Sequence, residues 1–515
     1  MSKRALAESA EAQQPARTNM QGDAPIEHDE GMGEFEDPFE DEFESDEGEV
    51  VDAADEDTQM EIDGVPVSDK IQRLDEEDDE PQAPAETYIP GVQKLEDGQT
   101  LVPDQSVYDM FHRMNVTWPC LSFDFLHDHL GTQRKTFPHT SFLVTGTQAD
   151  TAKNNEVIVM KASAMHRTSR DDEPSDNEDN EDDDNVDDDA VLEYRSIPHL
   201  GGVNRIRAAP VAAPNASELC LDPYPVASWS ETGNVSIFDV RPLFNVLSEP
   251  GTQIDRKTVN VPLYTVENHR GVEGFAMDWG GLFGSGASGK GHLRLLTGDV
   301  HSKIFLTTST NTGFTTHANP FESHTSSIED LQWSPSEPTV FASCSADQSI
   351  RIWDVRVKSH RSSLAIDSAH DQDVNVISWN HGTQYLLLSG GDDGALKVWD
   401  MRNFKSGNKP SPVAQFNWHQ GPIYSVEWNP NEDSTFAAAG RDDQVTLWDL
   451  AVEHDPDEDT SQLPKGPNGE PVPSQLLFCH HGASEVKEVH WHAQIPGMLG
   501  STSADGFHFL KTISV

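Results

Sequence analysis

Residues 324–354 read HTSSIEDLQWSPSEPTVFASCSADQSIRIWD, residues 370–400 read HDQDVNVISWNHGTQYLLLSGGDDGALKVWD, and residues 419–449 read HQGPIYSVEWNPNEDSTFAAAGRDDQVTLWD. Laid over one another, they are one unit written three times. His324, His370 and His419 open the units, and Trp353-Asp354, Trp399-Asp400 and Trp448-Asp449 close them. The His-to-Trp separation is 29 in all three, and a second tryptophan (Trp333, Trp379, Trp428) stands nine residues after each His. Asp347, Asp393 and Asp442 each fall six residues before the closing Trp, in a tight-turn context. The runs that follow, Ser349–Trp353, Ala395–Trp399 and Val445–Trp448, alternate as strands do. Self-similarity at a fixed period marks an architecture of stacked repeats.

Weaker copies flank these three. His199 leads to Phe238-Asp239, His269 to Trp279 and Phe305, and His480-His481 to Trp491 and then Ser501–Leu510. A further unit without the His spans Trp118–Met160, with Phe142–Thr145 and Val157–Met160 as strands. Seven units is the economical count.

The charge is unevenly placed. Of 515 residues, 89 are Asp or Glu and 35 are Lys or Arg, a formal charge of −54. Residues 1–86 hold 30 acids and five bases, and Asp171–Asp189 holds 13 acids and no base, so these two segments carry −38 of the total. Such an anion excludes broad neutralisation of nucleic-acid phosphates and favours a strongly basic partner. Residues 1–86 are too poor in apolar side chains to offset chain entropy and read as a disordered tail, in which Phe35, Phe39 and Phe43 alternate with acids. The insertion at about 165–190 reads as a second disordered acidic segment; its Asp171, Asp172, Asp182, Asp183, Asp184, Asp187, Asp188 and Asp189 are candidate contacts for a basic client. Four scattered cysteines fit a reducing compartment, and no run is long and apolar enough to span a membrane.

Between the tail and the repeats, Asp104 after Pro103 reads as the N-cap of a short amphipathic helix ending near Asn115. Val107, Met110, Phe111 and Met114 would form its apolar stripe, with Tyr108 beside it. The stretch Gly284–Gly291 nearly matches a phosphate-binding loop, but Gly291 stands where a hydroxyl is needed and no helix follows, so it reads as a plain connection. The recurrent Ser, His and Asp do not make catalytic triads: a nucleophile needs a unique site, and this set recurs unit after unit. No catalytic residue, metal site or cofactor is expected, and the chain is read as a non-enzyme.

The repeated units resemble the WD40 family over residues 118–515. The resemblance implies an all-β, seven-bladed propeller with a short N-terminal helix. A segment within residues 87–126 would supply the last outer strand and close the ring. It also implies buried tetrads pinning the blades: His324, Ser343, Asp347 and Trp353; His370, Ser389, Asp393 and Trp399; and His419, Asp442 and Trp448, where Ala438 replaces the Ser. The domains expected are an acidic tail (1–86), a closing segment with the helix (87–117) and the propeller (118–515). Trp353-Asp-Val-Arg356 and Trp399-Asp-Met-Arg402 resemble the motif by which some WD40 proteins dock onto a cullin-based ubiquitin ligase adaptor, through Arg356 and Arg402.

Two segments carry a narrower resemblance. Asp104–Asp124, with its W-P-x-L-S, and the acidic loop after Trp448 are similar to the histone-binding WD40 chaperones of the retinoblastoma-binding type. That likeness implies a groove in which Tyr108, Phe111 and Met114 give apolar contacts and Asp457, Glu458 and Asp459 meet a client's basic residues. The whole-chain pattern of acidic tail, Tyr88-Ile-Pro-Gly91 start, helix and acidic insertion is similar to the glutamate-rich WD-repeat proteins. This implies a nucleolar and nuclear chaperone, with a cytoplasmic pool, that acts with the pre-ribosomal assembly machinery in making the large ribosomal subunit. Its implied client is newly made ribosomal protein L-three, with histones as the alternative. The chain is expected to be monomeric apart from that client.

Overall fold

A short strand with apolar residues on both faces has to be covered from both sides, and stacking the repeats as blades around an axis does this. The computed structural model describes residues 61–62, 65–66, 103–168, 189–210, 223–249, 251–283, 292–404, 410–453 and 465–514. The chain divides into two units, Met1–Ala85 and Glu86–Val515. In the first, the described residues form one small ladder, Glu61–Ile62 against Val65–Pro66. The second is a seven-bladed propeller of four-stranded antiparallel sheets.

From the axis outward, blade 1 is Cys120–Leu126, His139–Thr147, Glu156–Met165 and Val191–Pro198. Blades 2 to 6 begin at the inner strands Val203–Ala208, Gly274–Phe283, Ile328–Trp333, Val374–Trp379 and Ile423–Trp428. Blade 7 takes Glu488–Trp491, Met498–Ser503 and Gly506–Thr512 from the end of the chain and its fourth strand, Tyr108–Asn115, from before blade 1. That strand pairs antiparallel with Gly506–Thr512, from Tyr108 opposite Thr512 to Asn115 opposite Gly506. Closure of this kind leaves no open sheet between the first and last blades.

The expected helix is therefore absent, and the reason is physical. Only Gln105–Val107 makes a 3-10 turn, with the Asp104 carboxylate accepting from Ser106 N at 3.0 Å. Beyond it the chain is extended and buried on both faces. Tyr108 and Phe111 face a cluster with Leu447, Val489 and Leu510, while Met110 and Met114 face one with Phe123, Leu143 and Phe507. A register shift between Tyr108 and Met110 changes the alternation. Two buried faces and one bulge produce the spacing that otherwise reads as a helical stripe.

The same irregularity recurs at the start of six inner strands. Register shifts lie at Cys120/Ser122, Val203/Arg205, Gly274/Ala276, Ile328/Asp330, Val374/Val376 and Ile423/Ser425. Each shift places one extra residue at the start of its strand. Between the outer parts of blades 1 and 2 lies a helix, Arg241–Ser248, whose Leu243, Phe244 and Leu247 are buried. The Phe244 ring sits 4.5 Å from that of Phe142.

Candidate functional site

Two of the complete repeats carry the same polar lock. In blade 4, His324 Nδ1 lies 2.9 Å from the Asp347 carboxylate and Nε2 lies 2.7 Å from Ser343 Oγ, which also accepts from Trp353 Nε1 at 2.8 Å. Blade 5 repeats this with His370, Asp393, Ser389 and Trp399 at 2.9, 2.7 and 2.9 Å. Burial pushes Asp393 up, but the His370 hydrogen bond and charge prevail and hold it down at about 2. In blade 6, where Ala438 replaces the Ser, Thr446 takes over. Its hydroxyl lies 3.0 Å from His419 Nε2 and accepts from Trp448 Nε1 at 2.8 Å, while His419 Nδ1 lies 2.9 Å from Asp442. Sequence reasoning missed Thr446 because it stands on the neighbouring strand, two residues before the Trp. It also missed a fourth lock in blade 3, where His269 lies 2.8 Å from both Asp299 and Thr297.

Blade 7 uses different chemistry. The Tyr108 hydroxyl lies 2.7 Å from His480 Nδ1, and His480 Nε2 lies 3.0 Å from His508 Nδ1. Tyr108 and Phe111 stack at 5.1 Å, with the Arg113 guanidinium 5.2 Å above the Phe111 ring. Burial drives His480 down to about 3 and His508 to about 4, so both are neutral at physiological pH. Tyr108, Phe111 and Met114 are 3%, 8% and 4% exposed. They close the ring and are not available as an apolar groove for a client, which corrects the expectation drawn from the histone-binding likeness.

Around the axis, side chains of one inner strand satisfy backbone N–H groups of the next. Asp124 accepts from Ala208 N at 2.9 Å, Asp278 from Trp333 N at 2.7 Å, Asp330 from Ile377 N at 3.1 Å, and Ser378 from Trp428 N at 3.1 Å. Gln332 accepts from Trp379 N, Glu427 from Trp491 N at 2.8 Å, and Glu488 from Phe123 N at 2.8 Å. Glu488 also joins Arg205 at 2.7 Å and Arg207 at 2.6 Å. The cavity along the axis, about 190 Å³, is lined by Asp124, Asp278, Asp330, Gln332, Ser378 and Glu427 together with Arg205 and Arg207. Against burial, Arg207, His490 and Arg205 hold Glu488 well below its ordinary range, whereas burial raises Asp278 to about 7. Among the described residues, no three His, Cys, Asp or Glu side chains are arranged to hold a metal ion. The arrangement ties blade to blade; its polar atoms serve the backbone.

Of the acidic client contacts expected, Asp171, Asp172, Asp182, Asp183, Asp184, Asp187 and Asp188 lie outside the described residues, as do Asp457, Glu458 and Asp459. Asp189 is exposed, two residues before the outer strand of blade 1. The anchorage of the acidic insertion is described at its N-terminal side. Thr168 Oγ1 accepts from Phe111 N at 2.9 Å, Thr168 N donates to Asp109 O at 3.0 Å, and His112 Nε2 lies 2.9 Å from His166 O. The insertion thus leaves beside the closing strand. The loop after Trp448 returns through Lys465, which bridges Pro471, and Gln420 donates to Asn468 at 2.8 Å. Arg356 and Arg402 point outward and are held by their own motif's Asp354 and Asp400, at 2.7 and 2.6 Å.

Comparison with known proteins fits this architecture. The chain is 42% identical to Ribosome assembly protein rrb1 of Schizosaccharomyces pombe over 516 residues, covering 100% of each. It is 42% identical over 444 residues to Glutamate-rich WD repeat-containing protein 1 of Dictyostelium discoideum, covering 84% of this chain and 86% of that one. The chain belongs to the glutamate-rich WD-repeat family. Histone-binding protein MSI1 of Saccharomyces cerevisiae is more distant, 28% identical over 180 residues, or 35% of this chain and 36% of its own. The family described as histone-binding protein RBBP4 matches residues 98–166, and the EIPR1 beta-propeller matches 290–448. The first match runs from before the closing strand to the point where the acidic insertion leaves blade 1. In the glutamate-rich WD-repeat chain described here, that stretch holds the ring shut.

Proposed function

We propose that this chain is a non-enzymatic assembly factor of the large ribosomal subunit that binds and shields a newly made basic ribosomal protein, L-three, before its incorporation. The observation that carries the reading is the placement of charge. Two polyanions, residues 1–86 and 171–189, are joined to a propeller whose remaining residues carry −16 of the −54. Full-length identity to a protein named for ribosome assembly supports it. A basic ribosomal protein without its RNA is short of counter-charge. Carboxylates from Asp171 to Asp189 and at Asp457, Glu458 and Asp459 supply it, and the propeller adds shape. The factor works in the nucleolus and nucleus and meets its client in the cytoplasm.

The test is purification of the native complex at low salt with identification of its stoichiometric partner. Ribosomal protein L-three, released as salt is raised, is the expected result. Recovery of histones in its place would establish the second reading, favoured by the histone-binding match over residues 98–166.

A further inference from the structure

The outer strands of most blades are short, as exposed sheet edges usually are. They have three residues in blades 2, 4 and 5, four in blade 3 and five in blade 6. The closing strand of blade 7 has eight, but residues 166–168 already bond to its edge. Val191–Pro198, the outer strand of blade 1, also has eight. It is largely exposed, with Val191 at 49% and Tyr194 at 54%. A shallow, open depression lined by Leu192, Glu193, Tyr194, Arg195, Ser196 and Arg256 lies against it.

The hydrogen bonds show which backbone groups face outward. The Ser196 carbonyl accepts from Arg256 Nη1 at 3.2 Å, and the Tyr194 carbonyl from Arg195 Nη1 at 2.7 Å. In an antiparallel ladder the N–H and C=O of one residue point to the same side. Leu192, Tyr194 and Ser196 therefore offer their backbone to the outer edge, along which no other described strand pairs, and the alternate residues pair inward with Glu156–Met165. Two guanidiniums occupy carbonyls that a further strand would use.

We propose that this edge receives one extended segment of a basic client by strand addition. The inference rests on the reading of a basic client given above. Charge complementarity selects the occupant: 13 acids lie between Asp171 and Asp189 in the sequence that precedes this strand. The main chain gives sequence-tolerant affinity along the edge, the acids favour lysine- and arginine-rich segments, and Tyr194 meets the apolar side chains on its own face of the added strand. Arg195 and Arg256 guard the edge in the free protein and yield their carbonyls to the incoming N–H groups.

The experiment uses the full chain and a fluorescein-labelled octapeptide of alternating lysine and valine. Tyr194→Pro removes an outward N–H and keeps the inward ladder, since proline is tolerated on the solvent side of an edge strand. It is expected to weaken peptide binding about 10-fold or more, the equivalent of one or two lost hydrogen bonds. Tyr194→Ala, which keeps the N–H, is expected to do less. Arg256→Ala frees a carbonyl and is expected to tighten binding, the opposite of what a simple charge contact predicts. In the wild-type chain the peptide is expected to slow hydrogen exchange at residues 192–196, a readout that does not depend on Tyr194→Pro folding. Salt-sensitive binding with no exchange protection there and no effect of Tyr194→Pro would overturn strand addition and leave the basic-client reading standing. No binding at all would overturn it as well.

Discussion

Blades 5 and 7 have the same four-stranded geometry and are held in opposite ways. In blade 5 the lock of His370, Ser389, Asp393 and Trp399 lies within one 30-residue stretch, so it forms from neighbours. At blade 7 it joins Tyr108 to His480, the last residue of the outer strand of blade 6, 372 residues away. Local locks assemble early and cheaply, whereas long-range closure forms only when the rest of the ring is in place. The repeated blades thus build the propeller, and blade 7 decides whether the ring stays shut.

The largest expected effect tests that asymmetry. Met110, with no exposed surface, lies in the closing strand, and Ile366, 2% exposed, lies in an ordinary outer strand. Met110→Asp buries an unpaired carboxylate at the closure and is expected to cost about 4–5 kcal/mol, seen as early, cooperative urea unfolding. Ile366→Asp is expected to fray blade 4 alone, with faster hydrogen exchange confined to Leu364–Ile366 and its partner strand. Equal global losses would show that closure has no special standing.

Next comes Glu488, the residue through which blade 7 reaches the first two blades of the ring. It accepts from Phe123 N in blade 1 and holds Arg205 and Arg207 of blade 2. Glu488→Ala leaves two part-buried guanidiniums without their carboxylate, and a loss of about 3 kcal/mol is expected in chemical denaturation. A loss below about 1 kcal/mol would mean that Asp124, Asp278 and Asp330 compensate within the same channel.

The repeats were legible because their chemistry is local: a His, an Asp and a Trp at constant separations report one blade each. Closure by a segment within residues 87–126 was legible as well; what escaped sequence reasoning is the form of that segment and the side chains the ring brings together. Tyr108, Phe111 and Met114 imitate a helical stripe because the closing strand is buried on two faces and bulged, a situation created by segments about 400 residues apart in sequence. Thr446 was invisible because its hydroxyl replaces that of a residue on the adjacent strand. The carboxylates around the axis were unremarkable in sequence, since each bonds to the backbone of the next blade.

The two blades should also separate in acid. His480 and His508 are pushed below their ordinary 6.5, to about 3 and 4, by burial first and then by neighbouring cationic groups such as Arg113. Between those values and 6.5 the unfolded chain binds protons that the folded chain refuses, so their contribution is full above about pH 6.5 and is lost as pH falls toward 4. Asp393 runs the other way in origin: it is lowered from 3.8 to about 2, and its contribution is present above pH 3.8 and lost below it. The Tyr108–His480–His508 contact should therefore loosen before the Asp393 lock as pH falls. Thermal unfolding at about pH 7.5 and about pH 5 checks this, and His508→Phe is expected to reduce the drop between them. An unchanged drop would place the acid-sensitive step in another blade.

The smallest effect on stability is expected at the two WDxR arginines, and there the comparison is between neighbouring blades 4 and 5. Arg356 forks onto Asp354, with Nη2 at 2.7 Å, and Arg402 onto Asp400, with Nη2 at 2.6 Å; Arg402 also lies 3.5 Å over the Tyr385 ring. Exposed pairs of this kind orient a side chain more than they hold a fold. Arg356→Ala with Arg402→Ala is expected to leave the urea midpoint where it was. Because each guanidinium is already matched by its own aspartate, a cullin adaptor has to compete for it, and competition is easier at Arg356, which has no ring beneath it among the described contacts. If the motif is used, Arg356→Ala alone should abolish co-purification with the adaptor more completely than Arg402→Ala. Association unchanged in the double variant would remove the ligase role and leave both arginines as surface ornaments of their own turns.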